Sequence, residues 1–230
     1  MVYNLITKVI EESGHFYLLD DIALTRLKLQ YREELVSYPD KKKKGAIVQK
    51  TLGQLVQKRA ISPKQGALLF KIVNYFKPVH ILQIGTNMGL STLYLTSYAS
   101  GLQCIALESN PAFASVARET FKQARNPIDL REGDYTDLLP KALEDMEAVD
   151  FVYFNMQDDD ICCSSLFNKC VEQTHQNSVF VFKGIKSSSK MRIAWKEICS
   201  HPKVTVTMDL YASGIVFFND KLHKRNYITY

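Results

Sequence analysis

The chain has 230 residues, of which 46% are hydrophobic and 23% are charged, and a formal net charge of +5. Such a chain can fold as one large α/β domain with a substantial core, and its composition is not that of a disordered protein. The sequence start lacks the pattern of a signal peptide and no stretch approaches 18 apolar residues. We therefore expect a cytoplasmic protein without a membrane span.

The cysteines and histidines favour neither a disulfide framework nor a metal site. There are five of each, with no Cys-x-x-Cys and no His-x-x-x-His spacing. Scattered reduced thiols usually act as small hydrophobic side chains. We expect no structural metal.

The charge is unevenly distributed along the chain. Residues 1–77 hold 14 Lys and Arg against 7 Asp and Glu, whereas residues 78–230 hold 15 against 17. The basic excess includes the run Lys41–Lys44, which could contact nucleic acid. Four lysines without interleaved aromatic residues are more typical of a solvated loop, so a nucleic-acid partner is not favoured.

Residues 1–61 are predicted to form an N-terminal helical segment. Leu18, Ile22 and Leu29 share one face of a first helix, and a second helix is expected from about Ala46 to Arg59. This segment is expected to cover a ligand site or to form a homodimer contact.

Residues 62–230 are predicted to form an α/β domain. Ser62 and Pro63 are a helix start signal, and short apolar runs then alternate with helical segments. The predicted strands are Val79–Ile84, Gln103–Leu107, Ile128–Arg131, Val149–Phe154, Ser178–Phe182, Val204–Leu210 and Gly214–Phe218. The predicted helices between them are Leu90–Tyr98, Pro111–Arg125, Tyr135–Met146, Ile161–Glu172 and Met191–Cys199.

The last two strands have no room between them for a crossover helix, so they must pair antiparallel. The sequence therefore predicts a Rossmann-like, doubly wound α/β fold. Its seven-stranded sheet is expected to be mostly parallel, with a C-terminal antiparallel hairpin and helices at the N-terminus.

A glycine loop follows the first strand of this domain, and it is the most informative motif. Open α/β sheets bind ligands at this edge, and Gly85 allows the backbone to approach a ligand closely. A dinucleotide fingerprint would need glycine at 87 and a small residue at 90, where the chain has Asn87 and Leu90. The loop from Gly85 to Gly89 therefore favours S-adenosylmethionine, which has no phosphate, over a dinucleotide.

Acidic residues follow the next two strands. Glu108 lies 23 residues after Gly85 and is expected to accept hydrogen bonds from both hydroxyls of a ribose. The alternative for Glu108 is a solvent-exposed loop acid. Asp134 can either accept from the amine of an adenine or cap the following helix.

These motifs resemble those of class I S-adenosylmethionine-dependent methyltransferases, particularly the O-methyltransferase group related to catechol and caffeoyl-CoA enzymes. The resemblance covers roughly residues 62–219 and includes Ile81–Leu95, Arg131–Asp134, Val149–Phe154 and 209–218. It implies S-adenosylmethionine as the cofactor, with contacts at Gly85, Gly89, Glu108 and Asp134. The expected cofactor-binding residues are Gln83, Gly85, Thr86, Asn87, Gly89, Ser91, Glu108, Ser109, Asp134, Tyr135 and Asn155.

The chain departs from this family where the chemistry would take place. The family usually has an acid at the position of Gln83, and its metal-dependent members have acids where this chain has Asn155 and Lys183. Magnesium prefers hard anionic oxygen ligands, which an amide and an ammonium do not supply. The acids Asp158–Asp160 could supply metal ligands in place of the missing ones. Three acids at a helix start more typically stabilise the dipole of that helix. We therefore expect no catalytic metal.

No catalytic base is evident. The candidates by position are His15, Tyr135, Asp158, Lys183 and Lys186, and of these Asp158 and Lys183 are retained. The leading hypothesis is methyl transfer from S-adenosylmethionine to an oxygen or nitrogen of a small-molecule acceptor. The alternatives are a catalytically inactive relative that serves in binding or assembly, and a methyltransferase acting on RNA or protein.

Overall fold

The computed structural model describes residues 5–10, 14, 16–40, 46–156 and 163–229. The predictions made for His15, Lys41–Lys44 and Asp158–Asp160 fall outside these described residues. Within them, no helix is both long enough and apolar enough to cross a membrane.

The strands and helices alternate along most of the chain. The strands are β1 Leu35–Asp40, β2 Ala46–Thr51, β3 His80–Ile84, β4 Gln103–Glu108, β5 Ile128–Glu132, β6 Phe151–Phe154, β7 Val179–Lys183, β8 Val206–Asp209, β9 Ser213–Phe217 and β10 Arg225–Ile228. The helices are α1 Leu18–Gln30, α2 Leu52–Arg59, α3 Pro63–Phe76, α4 Leu90–Thr96, α5 Pro111–Phe121, α6 Tyr135–Glu144, α7 Cys163–Val171 and α8 Ser189–Ser200, preceded by a π-helical turn, Ile6–Ile10.

Strands β3 to β10 form one sheet in the order β10-β8-β9-β7-β6-β3-β4-β5. β9 is antiparallel to both of its neighbours, and every other pairing in this sheet is parallel. All seven predicted strands are present, and the prediction of a Rossmann-like, mostly parallel sheet with a C-terminal antiparallel hairpin is confirmed. The sheet has one further strand, β10, which pairs with β8 at the edge.

The central strands are apolar on both faces because helices cover both sides of the sheet. Ile81 and Val181 face a layer formed by the N-terminal segment and α3 to α5, whereas Leu82 and Phe180 face α6 to α8. The side chain of Leu52, in the N-terminal segment, lies in the same apolar cluster as Ile81. The N-terminal segment therefore shares the apolar core on this face of the sheet.

The prediction for the N-terminal segment was right in one helix and wrong in another. Helix α1 lies where the apolar face of Leu18–Gln30 indicated it. The expected helix Ala46–Arg59 is wrong in its first six residues, because Ala46–Thr51 pairs antiparallel with Leu35–Asp40. Helix α2 begins after Thr51, whose hydroxyl accepts from the backbone N–H of Gln54 in a capping box. A β-hairpin therefore separates the two helices.

Asp150 joins the starts of β3, β6 and β7 and is a strong test of the fold. Its carboxylate accepts from the backbone N–H groups of Val79 and His80, both at 2.8 Å, and from the His175 ring at 2.9 Å. Partial burial acts to raise the pKa of Asp150, but these donors outweigh burial and lower it. The contribution to stability is therefore present above the pKa of the unfolded chain and lost as the pH falls through the folded value.

We expect Asp150→Ala to lower the free energy of unfolding by about 3 kcal/mol, because three donors lose a charged acceptor. Urea unfolding at pH 7 measures this, with the exposed Asp220→Ala as the control, expected to change stability by less than about 0.5 kcal/mol. The difference in the free energy of unfolding between Asp150→Ala and the wild type should become smaller as the pH is lowered. An equal effect of the two substitutions would contradict the role of Asp150.

Candidate functional site

The predicted site residues meet at the carboxyl edge of the sheet. The register aligns Glu132 of β5 with Glu108 of β4, and Ile84 of β3 with Phe154 of β6 and Leu107 of β4. Phe154 in turn aligns with Phe182 of β7. The residues that follow these positions therefore lie side by side along one edge, as they do at ligand sites of doubly wound folds.

Gly85 makes the tight turn that starts the loop. Its φ of 84° lies in the region that favours glycine, and a Cβ there would lie 2.7 Å from the backbone oxygen of Asn155. The N–H groups of Gly85 and Thr86 both donate to the carbonyl of Leu107. Gly85 is thus required both for the turn and for the close approach of β6.

The rest of the loop is buried and ordered by its own polar groups. Asn87 also has a positive φ, of 51°, and is only 6% exposed. The hydroxyl of Thr86 lies 2.6 Å from that of Thr92, and Gly89 precedes α4 with a φ of 86°. A Cβ on Gly89 would lie 2.8 Å from the ring of Phe121, so α5 packs tightly against the loop.

Gln83 and Asn155 flank Gly85 and leave two buried oxygens without a donor. The amide nitrogen of Gln83 donates to Ser91 Oγ at 2.8 Å, and that of Asn155 donates to the carbonyl of Gly85 at 2.9 Å. Gln83 Oε1 and Asn155 Oδ1 are buried and have no hydrogen-bond partner. An unsatisfied buried acceptor costs about 1–3 kcal/mol, so a ligand that brings N–H donors here would be favoured.

Glu108 is buried, at 3% exposure, so the alternative of a solvent-exposed loop acid is wrong. Its two carboxylate oxygens accept from the backbone N–H groups of Asn87, at 2.6 Å, and Asn110, at 3.0 Å. Burial raises the pKa of Glu108 to about 7, although these N–H groups and the charge of Arg59 favour the ionised form. Glu108 therefore faces the loop and titrates near neutrality.

The residues after β5 form the other end of the site. Asp134 is exposed and caps α6, because its carboxylate accepts from the N–H and the hydroxyl of Thr136 at 2.7 and 2.6 Å. The helix-cap interpretation of Asp134 is confirmed. Tyr135 is 6% exposed, in the cluster formed with α6 to α8, and Ser109 is half-buried beside Glu108.

Lys183 ends β7, the strand next to β6, and Asn155 directly follows β6. Burial, together with the charges of Arg59 and Arg26, lowers the pKa of Lys183 to about 8. A cation held beside a neutral amide does not fit a divalent metal ion. No cluster of three or more His, Cys, Asp or Glu residues suited to a metal occurs in the described part of the chain.

Two arginines of the N-terminal segment belong to the same region and were missed by the sequence analysis. Arg26 of α1 is 7% exposed and donates to the carbonyl of Ile61. The guanidinium of Arg59 lies 4.9 Å from the ring centroid of Phe113 and 5.7 Å from that of Tyr38. In the sequence, only the basic excess of residues 1–77 pointed towards these arginines. It did not indicate which basic residues lie near the site.

The sheet order and the glycine loop define a Rossmann-like methyltransferase fold with a ligand site at the carboxyl edge. A family model described as O-methyltransferase matches residues 34–188. The chain belongs to this O-methyltransferase family.

Curated relatives match over part of the chain. A catechol O-methyltransferase B of Danio rerio is 29% identical over 100 residues, which are 41% of this chain and 38% of the relative. A catechol O-methyltransferase of Niastella koreensis is 29% identical over 89 residues, 37% of this chain and 40% of the relative. The matches therefore span well under half the length of these curated relatives.

Solved structures match over nearly the whole chain. An O-methyltransferase of Bacillus cereus in complex with S-adenosylhomocysteine has a TM-score of 0.62 at 16% identity, covering 94% of this chain and 96% of that chain. A methyltransferase of Podospora anserina bound to S-adenosylhomocysteine has a TM-score of 0.65 at 14% identity, covering 95% and 96%. An O-methyltransferase of Streptomyces achromogenes in complex with S-adenosylmethionine has a TM-score of 0.62 at 16% identity and covers 95% of each chain. At these identities the similarity establishes the fold.

Proposed function

We propose that the protein is an S-adenosylmethionine-dependent, metal-independent methyltransferase that acts on a small-molecule acceptor. The observation that carries the proposal is the pair of orphaned oxygens, Gln83 Oε1 and Asn155 Oδ1, on either side of Gly85. The ammonium group of a methionine tail has three N–H donors for such acceptors. Membership of the O-methyltransferase family supports methyl transfer, and the solved relatives with bound S-adenosylmethionine or S-adenosylhomocysteine support the cofactor.

We infer the remaining cofactor contacts from the order of the strand ends. The loop residues Thr86, Asn87, Gly89 and Ser91 would surround the methionine tail. Glu108 and Ser109 would hold the ribose, since a carboxylate is a strong acceptor for two hydroxyl groups. Asp134 and Tyr135 would border the adenine, one strand further along the edge.

When bound, the cofactor would supply an electrophilic methyl group for the acceptor. The chain's own contribution is to position the acceptor and exclude water. We propose that residues 1–61 form the cover of the acceptor site, because Arg26 and Arg59 bring this segment to the edge near Lys183.

The proposal is tested by binding and by turnover. Isothermal titration should detect S-adenosylhomocysteine, and a radiolabelled methyl group should pass to at least one acceptor of a panel that includes catechols, as the curated relatives suggest. No binding at millimolar S-adenosylhomocysteine would refute the cofactor assignment. Binding without product for any acceptor would favour an inactive binding module.

Metal independence gives a separate prediction. We expect excess EDTA to change the transfer rate less than about twofold, and added magnesium to have as little effect, because Asn155 and Lys183 do not supply the anionic oxygens that magnesium needs. The control is the double variant Asn155→Asp/Lys183→Asp, which introduces two carboxylates at these positions. Loss of wild-type activity in EDTA, with recovery in magnesium, would contradict the prediction.

A further inference from the structure

Helix α1 has a row of large side chains on its outer face. Tyr17, Leu24 and Tyr31 follow one another at intervals of seven residues, and Leu27 lies three residues after Leu24. Residues at this spacing share one face of a helix. All four side chains are exposed, at 84%, 52%, 83% and 48% in the order given. We call Tyr17, Leu24, Leu27 and Tyr31 the α1 stripe.

The α1 stripe lies opposite the face by which α1 packs against the rest of the fold. The packed face consists of Ile22, Thr25, Arg26 and Leu29, which are all buried. A surface helix normally has polar residues on its other face. Contiguous large side chains on that face, unlike single exposed ones, mark an interaction surface. Their seven-residue spacing is typical of the seam between two paired helices.

The charges beside the α1 stripe differ between the two ends of the helix. Asp21 lies in the first turn of α1 and Lys28 in its last turn. The carboxylate of Asp21 lies 3.7 Å from the guanidinium of Arg125 in a long, exposed ion pair, and no described acid forms an ion pair with Lys28. Asp21 and Lys28 are about 10 Å apart along the helix, so they do not face each other within one copy.

We propose that the α1 stripe is the interface through which two copies of this chain form a dimer, with their α1 helices antiparallel. A two-fold axis near the middle of α1 places Leu24 of each copy beside Leu27 of the other copy. The same axis brings Asp21 of each copy next to Lys28 of the other. Both the apolar seam and the charges are therefore complementary to a second copy of the same surface, as a two-fold interface requires.

The acid on the same face of α1 also has a complement in this arrangement. Asp20 lies one turn before Leu24, and the two-fold axis places it opposite Tyr31 of the other copy. The exposed phenol of Tyr31 is a donor for a carboxylate. A contact through one helix of each copy is small by the standard of stable dimers, so we expect association that depends on protein concentration.

Sedimentation velocity on the full chain measures this association. We expect the average mass of the wild type to rise towards twice that of the monomer between about 1 and about 200 μM, the range in which a weak dimer forms. Leu24→Lys should stay monomeric over the same range, because it places two ammonium groups in the centre of the seam.

The matched control is Ile193→Lys, since Ile193 is also an exposed aliphatic residue of a helix, at 60% exposure on α8, and lies outside the α1 stripe. This control should associate as the wild type does. Leu24→Lys and Ile193→Lys should both keep the wild-type urea midpoint, because each replaces an exposed side chain. Loss of the dimer in Leu24→Lys with an unchanged midpoint therefore reports the interface and not the fold.

An exchange of charges tests the antiparallel arrangement. Asp21→Lys and Lys28→Asp each place like charges opposite one another and should weaken association at least about fivefold. The double variant Asp21→Lys/Lys28→Asp restores opposite charges and should associate within about threefold of the wild type. Because the two side chains do not face each other within one copy, this recovery has to come from contact between copies.

Three results would overturn the dimer. They are a wild type that stays monomeric throughout the concentration range, a dimer that survives Leu24→Lys, and an equal loss of association in Ile193→Lys. A double variant that associates no better than Asp21→Lys and Lys28→Asp alone would overturn the antiparallel pairing of α1.

Discussion

Glu108→Ala should weaken the binding of S-adenosylhomocysteine by about 100-fold, because the variant loses the charged acceptor proposed for two ribose hydroxyls. The same carboxylate also holds the loop, through the backbone N–H groups of Asn87 and Asn110. Isothermal titration at pH 8, where Glu108 is mostly ionised, measures the loss.

The control is Glu132→Gln, since Glu132 ends the neighbouring strand β5, aligned with Glu108, and pairs with Arg118 at 2.8 Å. This control should bind S-adenosylhomocysteine within about twofold of the wild type, because an exposed ion pair contributes little. Equal losses in Glu108→Ala and Glu132→Gln would indicate a general electrostatic effect, and normal binding by Glu108→Ala would remove Glu108 from the site.

The raised pKa of Glu108 adds a pH dependence to this prediction. Because the ionised carboxylate is the better acceptor for hydroxyl groups, affinity should fall as the pH is lowered from 8 to 6, with a midpoint near the pKa of about 7. The contribution of Glu108 to the stability of the unliganded protein should change in the opposite direction and increase as the pH is lowered. A buried acid whose folded pKa is raised stabilises the fold relatively more below its unfolded pKa, and this contribution is lost as the pH rises through 7. A pH-independent affinity would contradict the proposed role.

The parallel part of the sheet was predictable because its strands are buried on both faces. Short apolar runs such as Phe151–Phe154 leave few alternatives to a central strand. The hairpin of β1 and β2 carries no such pattern, since Leu35 and Ile47 are 66% and 69% exposed. Strand β10 is likewise mostly exposed, and only its pairing with β8 defines it. Strands that are exposed on one or both faces were therefore missed.

The same distinction separates the predicted and missed residues of the site. Gly85 and Glu108 could be predicted as candidates because a ligand at a strand end would require them at fixed distances along the chain. Arg26 and Arg59 reach the site only through the packing of the N-terminal segment on the sheet, which depends on long-range contacts. The sequence left open whether Glu108 is buried or exposed, because its burial depends on how the loop closes over the carboxylate.

Gly85→Ala should lower the free energy of unfolding by about 3 kcal/mol or more and weaken the binding of S-adenosylhomocysteine at least tenfold. Two physical effects add here. A residue with a Cβ is strained at a φ of 84°, and the Cβ would lie 2.7 Å from the backbone oxygen of Asn155, which cannot rotate away as a side chain can.

Gly101→Ala separates these two effects. Gly101 has a similar φ of 77°, but a Cβ there would meet nothing within 4 Å, so this variant measures the backbone strain alone, about 1–2 kcal/mol. Urea unfolding measures the loss in free energy of unfolding for each variant. The difference between the two losses is the cost of displacing β6. If Gly85→Ala is no more destabilised than Gly101→Ala and still binds S-adenosylhomocysteine normally, the close approach of Gly85 to Asn155 is not what shapes the site. A larger loss in Gly85→Ala, in both stability and binding, would link the tight turn after β3 to the orphaned oxygens that flank it.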